Sequence, residues 1–175
     1  MKSAEIFGKI STHQVEGIMM HDQMADAFLF LGLPGFSEMH EKQYHEENEG
    51  MRKTHKYYIS RMNMLVCEGH PEDPKALPKG WAGYTRQHIP AETKRKAVRE
   101  LMERWVEWEK ETKKLYEECV LQLNECGEVA AACEVKEMLH EVDEELCRAE
   151  ALHLRLEAIM YDMPTVDQIQ REVCA

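Results

Sequence analysis

Five acidic residues of this chain fall where an apolar neighbour is expected. Traced at about 100° per residue, residues 128–161 carry the stripe Val135, Met138, Val142, Ala149, Leu152, Leu156, Ile159, and Glu145 breaks it. Glu47 breaks a second stripe of His40, Tyr44, Met51, His55, Tyr58, Met62 and Leu65. Asp22 and Asp26, one turn apart, share a face with Val15, Ile18, Ala25 and Leu29. Glu109 sits at the edge of Val98, Leu101, Trp105, Trp108, Thr112, Leu115, Cys119 and Gln122, whose alternating steps of three and four mark a left-handed bundle seam. An isolated carboxylate moved into a bundle core costs several kcal/mol unless it is paired, protonated or metal-bound. Four helices that each offer a carboxylate near mid-length can share that cost by holding a cation. Oxygen ligands suit hard cations, which here means iron, manganese or magnesium. The competing reading is structural pairing, with Arg61, Arg104 or Arg148 as the partners.

Other polar residues have simpler readings. His21 adjoins Asp22, and His40 lies two turns before Glu47, about 10 Å along a helix axis. His40 and Glu47 therefore cannot both ligate one ion, and both histidines are expected to be buried and hydrogen-bonded. Tyr44, one turn from Glu47, is placed to donate a hydrogen bond or to join redox chemistry, although packing explains it as well. Glu137 and His140 form a Glu-x-x-His pair, but the helical phase turns His140 away from Met138, Val142 and Glu145, toward solvent. The basic run Lys94-Arg95-Lys96 with Arg99, and the ladder Arg104, Glu107, Glu111, Lys114, read as solvated faces. Six cysteines at 67, 119, 126, 133, 147 and 174 include no C-x-x-C pair, which predicts free thiols. No Gly-rich phosphate loop and no G-x-S-x-G occurs.

The elements that position these residues are helices. Glycine and proline concentrate at 32–35, at 69–90 and at Gly127, and between them run long helical patterns. The expected helices cover about 12–32, 37–67, 91–125 and 128–161, with a short tail helix over 164–173. The tight turns at 33–36 and at Gly127 make two antiparallel hairpins. The link over about 68–90 is long enough to run back along the bundle, and Trp81 and Tyr84 could pin it to the surface. Two hairpins joined by one long crossover give an all-α four-helix bundle.

Three segments, in that helix order, resemble ferritins. His45-Glu46-Glu47-Asn48-Glu49-Gly50 resembles the second-helix run that carries a ligand Glu, with a ligand His three residues on. Glu47 matches the Glu, and Gly50 stands where the His falls. Trp108-Glu109-Lys110-Glu111-Thr112 resembles the segment with a bridging Glu, and the run over 139–145 resembles the last ligand segment, with Glu145 as the late ligand. On the first helix the ligand position falls near Gln23, so Asp22 or Asp26 would have to substitute. The resemblance implies a ferritin-like bundle binding iron or manganese through Asp22, Asp26, Glu47, Glu109 and Glu145. It also implies Fe(II) oxidation and iron storage. With Gly50 in place of His, an all-carboxylate site, an altered metal preference and a bundle without metal all stay open.

Composition bounds the rest. The chain has 175 residues, a net charge of -11, 43% hydrophobic and 31% charged residues, with 9 Gly and 6 Pro. That is the size of one domain, expected to span 1–175, with enough apolar content for a core. The longest apolar run, 27–33, is far too short for a membrane span. No secretory h-region opens the chain, so a cytoplasmic location is expected. The acidic balance disfavours nucleic acid and suits attraction of metal cations. The apolar excess of the first helix predicts a homo-oligomer. The alternative function is a non-catalytic ferritin-like bundle acting as an assembly or interaction module.

Overall fold

The computed structural model describes residues 2–62 and 84–173. Five α-helices follow in order: α1 (Lys2–Phe30), α2 (Pro34–Met62), α3 (Ala91–Glu125), α4 (Val129–Ala158) and α5 (Met163–Val173), with a 3-10 turn at Arg86–His88 before α3. The fold is the expected all-α four-helix bundle with a short C-terminal helix. The first helix begins ten residues earlier than the sequence reading put it. Ile6, Phe7 and Ile10 pack there against Tyr58, Tyr116 and Leu123, and this burial carries the helix past the weak polar start of the chain.

Both hairpin turns use glycine at the helix end. Gly32 (φ 74°) and Gly127 (φ 78°) adopt the left-handed conformation. The paired bonds Gly32 N to Leu29 O and Leu33 N to Phe28 O, repeated as Gly127 N to Asn124 O and Glu128 N to Leu123 O, close each helix in a Schellman turn. The same bonding ends α4, where Met160 N reaches Glu157 O and Tyr161 N reaches Leu156 O. There the left-handed positions are Met160 (φ 51°) and Tyr161 (φ 52°), residues that bear the steric cost glycine avoids.

Side-chain contacts give the helix directions. His13 meets Thr112 and Gly32 lies beside Lys94, so α1 and α3 are antiparallel. Thr54 lies beside Met138 and Arg61 beside Glu128, so α2 and α4 are antiparallel as well. It follows that α2 ends and α3 begins at opposite ends of the bundle, as the crossover arrangement requires. Residues 63–83, with most of the predicted crossover and Trp81, lie outside the described residues, as do Cys67 and Cys174. Tyr84 is exposed.

The core forms two apolar clusters. One surrounds Met24, Phe28, Leu101, Met102, Trp105 and Leu156, and the other surrounds Phe7, Ile10, Tyr58, Tyr116, Leu123 and Val135. Helix α5 closes one end by lying on the start of α2. Gly35 N donates to Gln170 Oε1 at 2.9 Å, and a Cβ at Gly35 would stand 2.3 Å from the Gln170 carbonyl oxygen. Among the described residues no helix is long and apolar enough to cross a membrane. Cys119 is a buried free thiol, and Cys126, Cys133 and Cys147 are exposed free thiols.

Candidate metal centre

The candidate site lies at mid-bundle, between the two apolar clusters. Glu47 of α2 and Glu145 of α4 line a cavity of about 190 Å³ together with Gln14, Gly50, Thr54, Tyr116 and Val142. Glu109 of α3 adjoins it and is only 1% exposed. The Trp105 indole donates to Glu109 Oε1 at 3.0 Å, and Glu109 Oε2 has no partner. Glu109 is therefore an interior residue, where the sequence had placed it at a seam edge. Gly17 lets the helices close here, since a Cβ on it would lie 3.0 Å from Trp108 Cζ2 and 3.5 Å from the Glu47 carboxyl carbon.

Desolvation dominates the electrostatics, although only Glu109 is fully buried and Glu47 and Glu145 are half-buried. Desolvation, then repulsion from Glu145, Glu141 and Glu46, pushes the Glu47 carboxyl up to about 8. Desolvation also raises Glu145 to about 7, with Arg148 pulling the other way. Glu109 is held well above the usual carboxylate range, first by burial, then by Glu145 and Glu47. The arginines considered as core partners are engaged elsewhere or stay at a distance. Arg61 pairs with Glu128, Arg104 pairs with Glu107 and Glu111, and Arg148 acts on Glu145 and Glu109 only through its longer-range charge.

The structure does not bring Asp22 and Asp26 to this site. Both are exposed. The buried seam of α1 is Ile10, Gln14, Gly17, His21, Met24, Phe28 and Leu31, which leaves positions 22 and 26 about 100° or more away around the helix. The polar α1 residue that lines the cavity is Gln14, which the sequence reading missed. It is 2% exposed, its Nε2 donates to Thr54 Oγ1 at 3.3 Å, and its Oε1 lacks a partner. Tyr116, fully buried against the cavity, was missed too, whereas Tyr44 is half-buried and packs edge-on against His45.

The histidines follow their expected roles. His21 and His40 are wholly buried and share a hydrogen bond between their Nδ1 atoms at 3.0 Å. Desolvation lowers His21 to about 3 and His40 well below its ordinary value, so both are neutral. One Nδ1 must donate and the other accept. His140 is exposed and faces Glu144 at 3.7 Å, away from the cavity. Glu137, Glu46, Glu134 and Glu141 are exposed acids at the cavity wall, accompanied by Lys53.

Chemically, the cavity offers the Gln14 amide of α1 and carboxylates of α2 and α4, with the Tyr116 hydroxyl from α3 and Glu109 nearby. Glu109 Oε2 and Gln14 Oε1 are among the buried oxygens without hydrogen-bond donors, which leaves acceptors directed at no protein group. No nitrogen ligand stands at position 50, where a Cβ would meet nothing nearer than Gln14 Nε2 at 3.8 Å. The core carboxylates are spread around the cavity, and no three of their oxygens lie within 4.8 Å of one another.

No protein-family model matches the sequence, and no curated protein matches it significantly. Solved structures do match. An open-pore ferritin from the archaeon Archaeoglobus fulgidus superposes with a TM-score of 0.82 at 21% identity, covering 99% of this chain and 96% of that one. The chain has the ferritin-like fold. A humanized archaeal ferritin matches with a TM-score of 0.82 at 18% identity over 99% of this chain and 96% of that one. A PmFTN variant soaked overnight in iron matches with a TM-score of 0.78 at 9% identity over 97% of this chain and 98% of that one. These superpositions extend along almost the whole chain, while identities this low speak for the fold alone.

Proposed function

We propose that this chain is a ferritin-like metalloprotein that binds iron through Glu47, Glu109 and Glu145, with Gln14 as a fourth oxygen donor. The observation that carries the reading is the set of three core carboxylates held without cation partners beside a cavity. That arrangement is costly in an empty bundle and relieved by a cation. Fe(II) is the substrate, and its oxidation by dioxygen is the reaction this site would support. The chain's residues act in three ways. The exposed Glu46, Glu134, Glu137 and Glu141 raise the local cation concentration at the cavity wall. Glu47 and Glu145 release protons as the cation takes their place, which ties binding to pH. The Trp105 indole fixes the Glu109 carboxylate, so that Oε2 is the oxygen left to bind.

Manganese competes for such an oxygen-rich site on the same grounds. A cytoplasmic homo-oligomer, with storage if the subunits enclose a shell, completes the reading. The absence of a nitrogen donor at Gly50 favours a second reading, a bundle that keeps the fold for assembly and leaves the carboxylates protonated. Metal analysis after growth with iron and manganese, together with oxygen uptake on adding Fe(II), separates the two. Stoichiometric metal and oxygen uptake that both disappear in Glu47→Ala and Glu145→Ala support the metalloprotein. Metal-free protein, with those variants unchanged or more stable, supports the assembly module.

A further inference from the structure

A second group of ligand-type side chains lies on the α3–α4 face, away from the core cavity. Glu103 of α3 and His153 and Glu157 of α4 each offer one donor atom, and the three atoms lie within 4.8 Å of one another. His153 and Glu157 are four residues apart on one helix, so they share a face, and Glu103 joins them from the neighbouring helix. None of the three lines the cavity around Glu47 and Glu145.

The imidazole is already oriented from behind. Tyr161, fully buried, lies with its hydroxyl 2.7 Å from His153 Nδ1. With Nδ1 occupied, Nε2 is the nitrogen left to ligate, which is the arrangement that outer partners impose on metal-bound histidines. Tyr161 is held there by the left-handed turn after α4 and by Arg99, whose guanidinium lies 5.2 Å from the ring centroid. Arg99 also forks Glu157, with Nε at 2.9 Å from one carboxylate oxygen and Nη2 at 3.3 Å from the other, which steadies that carboxylate and leaves a cation to use the second lone pair of either oxygen. Two carboxylates against one arginine leave a net negative charge for a cation to neutralise.

We propose that Glu103, His153 and Glu157 form a second, solvent-open site for a borderline divalent transition cation such as Zn²⁺. Mixed nitrogen and oxygen donors fit that class better than Mg²⁺ or Ca²⁺, which take oxygens. A tetrahedral zinc ion with bonds of about 2.0–2.1 Å needs donors about 3.3 Å apart, a spacing that one exposed and two half-buried side chains reach by small rotations. Three protein ligands leave the fourth position to water.

Cobalt(II) titration followed by visible absorption tests the site. The background is the full-length chain carrying Glu47→Gln and Glu145→Gln, so that the answer does not depend on the core reading. One saturable equivalent of Co²⁺ with ligand-field bands is expected, displaced by Zn²⁺ and not by Mg²⁺. His153→Gln and Glu103→Gln should each weaken it more than tenfold, and Tyr161→Phe about 10- to 100-fold through loss of the orienting hydroxyl. Glu103 is exposed, so its variant answers even if changes at His153 disturb folding. Absence of saturable Co²⁺ binding, or bands unchanged in Glu103→Gln and His153→Gln, overturns the assignment.

Discussion

Raising the pH of the metal-free protein from 6.5 to 9 ionises two carboxylates inside the bundle, and its stability should fall accordingly. Glu47 titrates near 8 and Glu145 near 7 in the folded chain, against an ordinary value of 4.5. Both folded values are raised, so their stabilising contribution is complete below about 4.5 and is lost as pH climbs through 7 and 8. Over pH 6.5–9 the loss works out to about 2 kcal/mol for Glu47 and about 1 kcal/mol for Glu145. The window matters. Below about 6.5 the buried neutral histidines, with His13 held near 4 and His21 near 3, act in the opposite sense. Unfolding releases them to take up protons, so their contribution declines toward acid while that of the carboxylates keeps growing down to about 4.5. The two slopes cancel midway, and the stability optimum should lie at about pH 5.5. Urea titrations at half-unit pH steps, in the presence of a chelator, read the profile. Glu47→Gln, which keeps the shape without the charge, should remove about two-thirds of the alkaline loss. A flat profile from 6.5 to 9, or an unchanged slope in Glu47→Gln, would show that these half-buried acids are neither desolvated nor short of a cation partner.

Further variants probe separate links. Gln14→Glu adds a carboxylate to the cavity; it should tighten metal binding and lower metal-free stability at neutral pH, both readable by thermal melts with and without Mn²⁺. Gly35→Ala drives a methyl into the Gln170 backbone and should cost about 1–3 kcal/mol in urea unfolding. Met160→Gly relieves a left-handed methionine and should stabilise the chain by about 1 kcal/mol. His40→Phe leaves the His21 Nδ1 without its partner and should cost about 1–3 kcal/mol, whereas the double replacement His21→Leu with His40→Phe should recover part of that loss.

The fold was legible because its signals are local. Glycines 32 and 127 mark the hairpin turns, and the three-four seams of α3 and α4 survive with few changes, from Val98 to Cys119 and from Val135 to Leu156. The α1 seam was misjudged because that helix is apolar around most of its circumference. Val15, Ile18 and Leu29 gave as good a stripe as Ile10, Met24 and Phe28, and only contact with α2 and α3 decides between them. That one-residue error in phase promoted Asp22 and Asp26 and hid Gln14, a polar residue in the true seam. Glu109 showed the converse. Its edge position in the α3 pattern conceals that it is buried and bonded to Trp105, a fact of tertiary packing. The group of Glu103, His153 and Glu157 depends on the register between α3 and α4, which spacing along one helix does not reveal.

The proposed function requires Glu47, Glu109 and Glu145 to hold a cation together. Crystals soaked anaerobically in Fe(II) or Mn(II), with anomalous differences measured at the metal absorption edge, test it most directly. Anomalous peaks are expected inside the cavity, bonded to these three carboxylates, and should vanish in Glu47→Ala. A cavity without anomalous signal at saturating metal, in crystals that bind the ion elsewhere, would contradict it.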